Sequence, residues 1–136
     1  MSVKRAREII ANIDYITIAS VTEDGMPWNS PVFSGYDEAY NFYFGTHIDS
    51  QKAKNIKANP NVFLVIYDST VPPGTGEGVY VKGHAHQVND TDFWDFAAVQ
   101  GDGPIRLYKV APEQVWMNSG DKKNGHYIDT REEIQL

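Results

Sequence analysis

Most hydrophobic residues of this chain occur in short runs in which apolar and polar side chains alternate, and turn signals separate the runs. Such alternation predicts strands that each present one face to a core. The Asp24-Gly25 pair between the first two runs is typical of a hairpin turn. The predicted strands are Tyr15–Val21, about Trp28–Tyr36, Tyr40–Gly45 and Gly78–Val88.

Three further segments complete the strand pattern. The run Val62–Tyr67 is apolar without interruption, which predicts a strand covered on both faces. Two short strands, Leu107–Val110 and Gln114–Met117, are predicted on either side of Ala111-Pro112, and the polar tail from Asn118 onward has no clear pattern. Strands joined mostly by hairpins predict a mostly β protein in the form of a closed or half-closed antiparallel barrel.

Two or three small helices are predicted beside the barrel. Apolar residues recur at helical spacing in Val3–Ile13, with Ser2 as the candidate N-cap. Asp49-Ser50 opens a second helix, Gln51–Ala58, and a third is predicted at about Asp92–Val99.

Length and composition exclude several classes of protein. The 136 residues predict one domain spanning residues 1–136. A net charge of −6 disfavours nucleic acid and anionic membranes as partners, and no apolar run is long enough for a transmembrane helix. Because the chain has no cysteine, thiolate nucleophiles and iron–sulfur clusters are excluded, and a cytoplasmic protein is expected.

The segment from Tyr43 to Pro60 contains the most informative candidate site. It joins the end of a strand to a helix N-terminus that carries Ser50 and Lys52. Backbone N–H groups and the helix dipole favour an anion there, and Lys52 adds a formal charge. The alternative is an ordinary capped helix whose lysines face water, with Asp49 as the cap.

Other candidate chemistry is weaker. His84 and His86 lie two apart on one strand and would share a face, but no third ligand is evident, so a solvated polar surface is preferred and no metal is predicted. The Gly-x-Ser-x-Gly pattern of a serine hydrolase is absent.

A series of short motifs resembles the pyridoxamine 5′-phosphate oxidase-like family of FMN-binding split barrels over nearly the whole chain. Their order and spacing are specific for the fold and less specific for activity. The motifs are Asp24-Gly25-x-Pro27, Ser30-Pro31-Val32, Phe42-x-Phe44-x-Thr46, Ser50-x-Lys52-x-x-Asn55-Ile56, Asn59-Pro60-x-Val62, Val81-x-Gly83-x-Ala85 and Arg106-Leu107-Tyr108-x-Val110-x-Pro112.

The resemblance implies a six-stranded antiparallel split barrel that binds FMN. It implies that Ser50, Gln51 and Lys52 hold the FMN phosphate, and that Gly45 and Thr46 run along the flavin and ribityl chain.

Further positions follow from the same resemblance. Trp28, Asn29, Ser30 and Pro31 would lie beside the isoalloxazine edge. Trp116 resembles an aromatic residue that approaches the flavin from the other subunit.

The chain also departs from the pyridoxine-oxidising members. It has no basic residue between Trp28 and Tyr36, and its tail, REEIQL, lacks their Arg-x-His segment. Oxidation of pyridoxamine 5′-phosphate is therefore not expected.

The function expected from the resemblance is that of a flavoprotein oxidoreductase acting on a small molecule. Because a flavin carries the redox chemistry itself, no side chain is nominated as catalytic; Tyr36, Tyr43 and His47 are candidates by position alone. The alternatives are a non-catalytic module for flavin, deazaflavin or haem, and an empty barrel.

A homodimer with shared cofactor sites is also expected. Aromatic residues make up 12% of the chain, and Trp28, Tyr40, Tyr43 and Trp116 are among those that exceed the room inside a small barrel. Large aromatic residues outside a core are typical of the centre of an interface.

Overall fold

The structure, a computed structural model, describes residues 2–89 and 104–136, in two helices and seven strands. The predicted helix at about Asp92–Val99 lies outside the described residues. The elements are α1 (Ser2–Asn12), β1 (Tyr15–Val21), β2 (Pro27–Tyr36), β3 (Phe42–His47), α2 (Gln51–Ala58), β4 (Asn61–Tyr67), β5 (Gly78–Val88), β6 (Ile105–Lys123) and β7 (His126–Ile134).

The strands form a closed antiparallel barrel. Their order is β3-β2-β1-β4-β5-β6, and β6 pairs back onto β3 over His47–Phe42 to complete a ring of six. The second half of β6 continues past this ring and pairs with β7. The predicted six-stranded, mostly β barrel is therefore confirmed.

Alternation along the strands places the core inside the barrel. Ile16 and Ile18 of β1, Phe42 and Phe44 of β3, and Leu64 of β4 are all at most 3% exposed. Helix α1 packs its buried residues onto this core at one end of the barrel, and α2 packs at the other. Strand β4 is buried on its inner face only, because its outward residues are half-buried or exposed. The prediction that this strand is covered on both faces is therefore wrong for the single chain.

The third strand starts later than predicted. Asp37 accepts hydrogen bonds from the backbone N–H groups of Ala39 and Asn41, at 2.9 Å each, and Tyr40 takes a positive φ of 60°. The turn therefore extends to Asn41, and β3 begins at Phe42.

The C-terminal part corrects the prediction most. Pro112 does not separate two strands, because a bulge places Gly83 opposite Pro112 and Lys82 opposite Gln114, so β6 continues through it. The polar tail forms β7 through a two-residue turn at Asn124-Gly125, both with positive φ. Asn-Gly is the preferred sequence for such a turn, so the signal for this hairpin is present in the sequence.

Gly83 faces β6 at this bulge without room for a side chain. A Cβ there would lie 2.5 Å from the Ala111 carbonyl oxygen. We expect Gly83→Ala to lower the free energy of unfolding by about 1–3 kcal/mol because the backbone must shift. Urea denaturation tests this, with Gly76→Ala as the control, since a Cβ at Gly76 meets nothing within 4 Å. Equal stability of the two variants would contradict the account.

Candidate functional site

The N-terminus of α2 is capped by Ser50. This residue is extended, with φ −64° and ψ 154°, and its hydroxyl oxygen accepts from the Ala53 N–H at 3.2 Å. Asp49 takes a different part, because its N–H donates to His47 Nδ1 at 3.0 Å. Of the two caps left open by the sequence, Ser50 is the one the structure supports.

Side chains from β3 and α2 meet at this cap. The Lys52 ammonium donates to Thr46 Oγ1 at 3.1 Å, and the Thr46 hydroxyl donates to Ser50 Oγ at 3.0 Å. Thr46 is 7% exposed, and Lys52 is half-buried. We call Thr46, Ser50, Gln51 and Lys52 the α2 cluster.

The charge of Lys52 is not balanced within the part of the chain that is described. The ion pairs found there involve other residues, and burial lowers the pKa of the Lys52 ammonium. A bound anion would offset this desolvation, because it favours the charged form of the ammonium.

The backbone N–H groups at the cap also favour an anion. The N–H groups of Ala53 and Lys54 bond to the side chain and carbonyl of Ser50. Those of Gln51 and Lys52 have no partner among the described residues, as expected for the first turn of a helix. The α2 cluster can therefore offer an anion two backbone donors, a hydroxyl and an ammonium.

A buried polar chain ties α2 to the barrel. Asn55, 2% exposed, donates from Nδ2 to Ser20 Oγ at 3.0 Å and accepts from Gln51 Nε2 at 2.7 Å. Ser20 lies on the inner face of β1 and is also 2% exposed. In the sequence Asn55 belongs to a motif that assigns it no role, and no local signal points to Ser20.

The predicted residues of β2 divide between its two faces. Trp28 pairs with Ser20 and Ser30 pairs with Ile18, so both point inward, near the end of the barrel that α2 covers. Trp28 is 43% exposed, and the buried Ser30 hydroxyl has no hydrogen-bond partner among residues 2–89 and 104–136. Asn29 and Pro31 point outward.

A second cationic residue lies on β6, directly opposite Thr46 of the α2 cluster. Gly45 pairs with Leu107, and Thr46 pairs with Arg106 on β6. Directly opposed residues of an antiparallel pair present their side chains on the same face. Arg106 was quoted only as part of a motif, because strand pairing across 60 residues is not visible in the sequence.

Trp116 lies on the outside of the barrel, and its ring contacts among the described residues involve no member of the α2 cluster. It stacks on Phe63 with ring centroids 6.0 Å apart, and the Arg131 guanidinium carbon lies 5.3 Å from its ring. Tyr80 meets Phe63 edge to face. On the same outer surface, Tyr15 and Phe33 are 67% and 50% exposed and contact each other. We call Tyr15, Phe33, Phe63, Tyr80 and Trp116 the outer aromatic face.

The positional candidates do not all reach the α2 cluster. Tyr36 stacks on Tyr40 beside the core at the α1 end, and Tyr43 donates to Asp37 at the β2–β3 turn. His47 is exposed and borders the cluster. The His84 imidazole contacts Glu113 at 2.7 Å on the outer surface, and no group of three metal-ligating side chains occurs in residues 2–89 and 104–136.

A cavity of about 630 Å³ lies beside a different part of α2. Its lining includes Lys54, Ile56, Lys57, His86 and Tyr108, and none of the α2 cluster.

None of the described helices is long and apolar enough to cross a membrane.

Fold and site together define the class of the protein. A closed six-stranded antiparallel barrel with two small helices and a capped helix N-terminus is the architecture of the split-barrel proteins. A family model described as pyridoxamine 5′-phosphate oxidase matches residues 2–119, and the chain belongs to this family. No curated protein sequence matches it significantly.

Solved structures share the fold at low sequence identity. A haem-binding protein from Mycobacterium smegmatis superposes with a TM-score of 0.75 at 19% identity, over 96% of this chain and 57% of that one. The chain thus spans little more than half of that relative. General stress protein 26 from Bacillus anthracis gives 0.69 at 18%, over 96% and 100%. The haem storage protein HutZ from Vibrio cholerae gives 0.68 at 17%, over 82% and 91%.

Proposed function

We propose that the protein binds FMN non-covalently, with the phosphate held by the α2 cluster, and acts as an oxidoreductase on a small molecule. The observation that carries this proposal is the Lys52 ammonium, which is half-buried, lacks a carboxylate partner among the described residues and is fixed by Thr46 beside a capped helix N-terminus. The net charge of −6 would otherwise repel an anion, so this local arrangement is the attractive element.

Each member of the α2 cluster would contribute a distinct interaction. Ser50 Oγ already accepts from Ala53 and Thr46, so its own hydrogen is left to donate to a phosphate oxygen. Lys52 would provide a charge-assisted bond, and the N–H groups of Gln51 and Lys52 would complete the anion site. The Thr46 hydroxyl orients both Ser50 and Lys52.

The residues around the cluster fit a flavin. The Ser30 hydroxyl, which has no partner among the described residues, and the exposed Trp28 indole lie on the inner face of β2. The Asn29 amide lies on the outer face of β2, and Gly45 leaves the outer face of β3 without a side chain. When bound, FMN would supply hydride or electron transfer. The side chains of this protein would bind and orient it, and we assign none of them as a catalytic acid or base.

The outer aromatic face supports a homodimer with shared sites. It consists of two groups of ring contacts, Tyr15 with Phe33 and Phe63 with Tyr80 and Trp116, which lie on the same outer surface of the sheet. Isolated exposed aromatic residues are ordinary, but two such groups on one surface favour a covered surface. We place a second copy of the chain on it, which would bring Trp116 to the flavin of its partner.

Oxidation of pyridoxamine 5′-phosphate should be negligible. The β2 strand has no basic residue to hold a substrate phosphate. The FMN-loaded protein, assayed for aldehyde product, should stay far below ordinary turnover of about 1–1,000 per second. Turnover in that range would overturn this part of the proposal.

The pH dependence of FMN binding should follow the ionisation of the Lys52 ammonium. Burial lowers the pKa of its ammonium in the free protein, whereas a bound phosphate favours the charged form and raises it. FMN affinity should therefore be full below the pKa of the free protein and fall above it, by up to about tenfold per pH unit. Riboflavin is the control because it shares the ring, so the ratio of the two affinities isolates the phosphate. A ratio that does not fall at alkaline pH would contradict the assignment.

Haem is the second candidate ligand, because two of the structural neighbours are described as haem-binding and haem storage proteins. Haem iron requires an axial ligand, and His47 is the histidine that borders the α2 cluster. Releasing and identifying the molecule that copurifies with the protein separates these cases. FMN supports the proposal, whereas haem or a deazaflavin supports the non-catalytic alternative. A colourless protein that FMN does not stabilise against heat indicates an empty barrel.

A further inference from the structure

Asn55 is a buried amide that uses both ends of its side chain. Its Nδ2 donates to Ser20 Oγ on β1 at 3.0 Å, and its Oδ1 accepts from Gln51 Nε2 at 2.7 Å. Both Asn55 and Ser20 are 2% exposed. Asn55 therefore links the first turn of α2 to a central strand of the barrel.

This hydrogen-bonded link fixes the rotation of α2 about its own axis, which the apolar contacts of the helix do not fix. The helix has only 8 residues, which is too short to be stable alone. Its buried apolar residues, Ala53 and Ile56, hold it against the core but are compatible with small rotations about its axis. A hydrogen bond between two buried groups is directional and costly to break.

We propose that Asn55 is a positioning residue for the anion site of the α2 cluster, acting through Ser20 on one side and Gln51 on the other. This inference rests on the proposed function for the identity of the ligand, and on the hydrogen bonds alone for the positioning. Without the link, α2 would keep its helical form, but the donors of Gln51 and Lys52 would no longer converge on one point. The binding of a phosphate would then suffer more than the binding of the flavin ring.

The test compares FMN with riboflavin in Ser20→Ala and Asn55→Ala, by calorimetric titration. We expect the FMN-to-riboflavin affinity ratio to fall about tenfold in each variant. The double variant should lose little more than Asn55→Ala alone, because that substitution already removes the bond to Ser20. If the wild type prefers FMN, an unchanged ratio in the variants, including equal losses for both ligands, would overturn the proposal.

Two control variants separate positioning from general destabilisation. Ser20→Thr keeps the acceptor oxygen and should retain the wild-type ratio. Asn59→Ala removes bonds to Asn61 at the far end of the same helix and should lower stability without changing the ratio. If Asn59→Ala changes the ratio as much as Ser20→Ala does, the effect is not positional and the proposal fails.

A ligand-free measurement keeps this proposal distinct from the proposed function. The ¹⁵N-detected titration of the Lys52 ammonium reports its burial at the barrel end, because that burial lowers its pKa. In Ser20→Ala, α2 is no longer bonded to β1, so the pKa of Lys52 should rise. If it moves while wild-type protein binds FMN and riboflavin equally, the positioning stands and the phosphate function fails. If it does not move, the positioning is overturned whatever the ligand.

Discussion

Lys52→Ala is expected to weaken FMN binding by about ten- to a hundredfold and to leave riboflavin binding almost unchanged. A charge-assisted hydrogen bond to a phosphate contributes roughly 1.5–3 kcal/mol, and riboflavin has no phosphate to lose it. The variant should fold normally, because Lys52 is half-buried at the barrel end and is bonded to a single side chain, Thr46. Titration of both ligands into the purified variant measures the effect.

Two matched variants make this result specific. Lys54→Ala removes an exposed cation from the same helix and should change neither affinity, which controls for net charge. Lys52→Arg keeps the positive charge but changes the shape of the charged group, so it should recover part of the FMN affinity that Lys52→Ala loses. Equal weakening of FMN and riboflavin in Lys52→Ala would mean that Lys52 does not contact the phosphate.

Trp116→Ala is expected to weaken flavin binding by about thirtyfold and leave the barrel folded. Truncation of a central aromatic residue at an interface costs about 2 kcal/mol or more. Trp116 lies on the outside of β6 and stacks on Phe63, so the core does not depend on it. Flavin titration and circular dichroism of the same sample test both halves of the prediction.

The oligomeric state gives this prediction its control. Sedimentation at micromolar concentration should give twice 15.3 kDa for the wild type, and dilution toward monomer should release the flavin. Trp116→Phe, which keeps a flat ring, should retain most of the affinity. A stable monomer that binds FMN tightly would contradict the shared site.

The elements that were predicted with correct bounds are those with purely local signals. Strand β1 alternates without interruption, α2 is delimited by Ser50 and Asn59-Pro60, and β5 alternates around Gly83. Strand β7 was missed because its sequence, HYIDTREEI, has few apolar residues, as suits a strand at the edge of a sheet. Its inner residue Ile134 joins the core only through pairing with Val115.

Some residues of the candidate site could be predicted from local sequence, and others could not. Ser50 and Lys52 are two residues apart at one helix end, so the sequence alone indicated that they act together. The bond between Asn55 and Ser20 and the pairing of Arg106 with Thr46 depend on the barrel, which brings β1 against the helix and β6 against β3. No local pattern reports such contacts.

The account depends most on an anion site for the phosphate of FMN at the α2 cluster. Titration of ligand-free wild-type protein with FMN and with riboflavin under identical conditions tests it directly. The account predicts that FMN binds at least about tenfold more tightly, because the charge-assisted bond from Lys52 is available only to the phosphate. Equal affinities for the two ligands, or no binding of either, would contradict it.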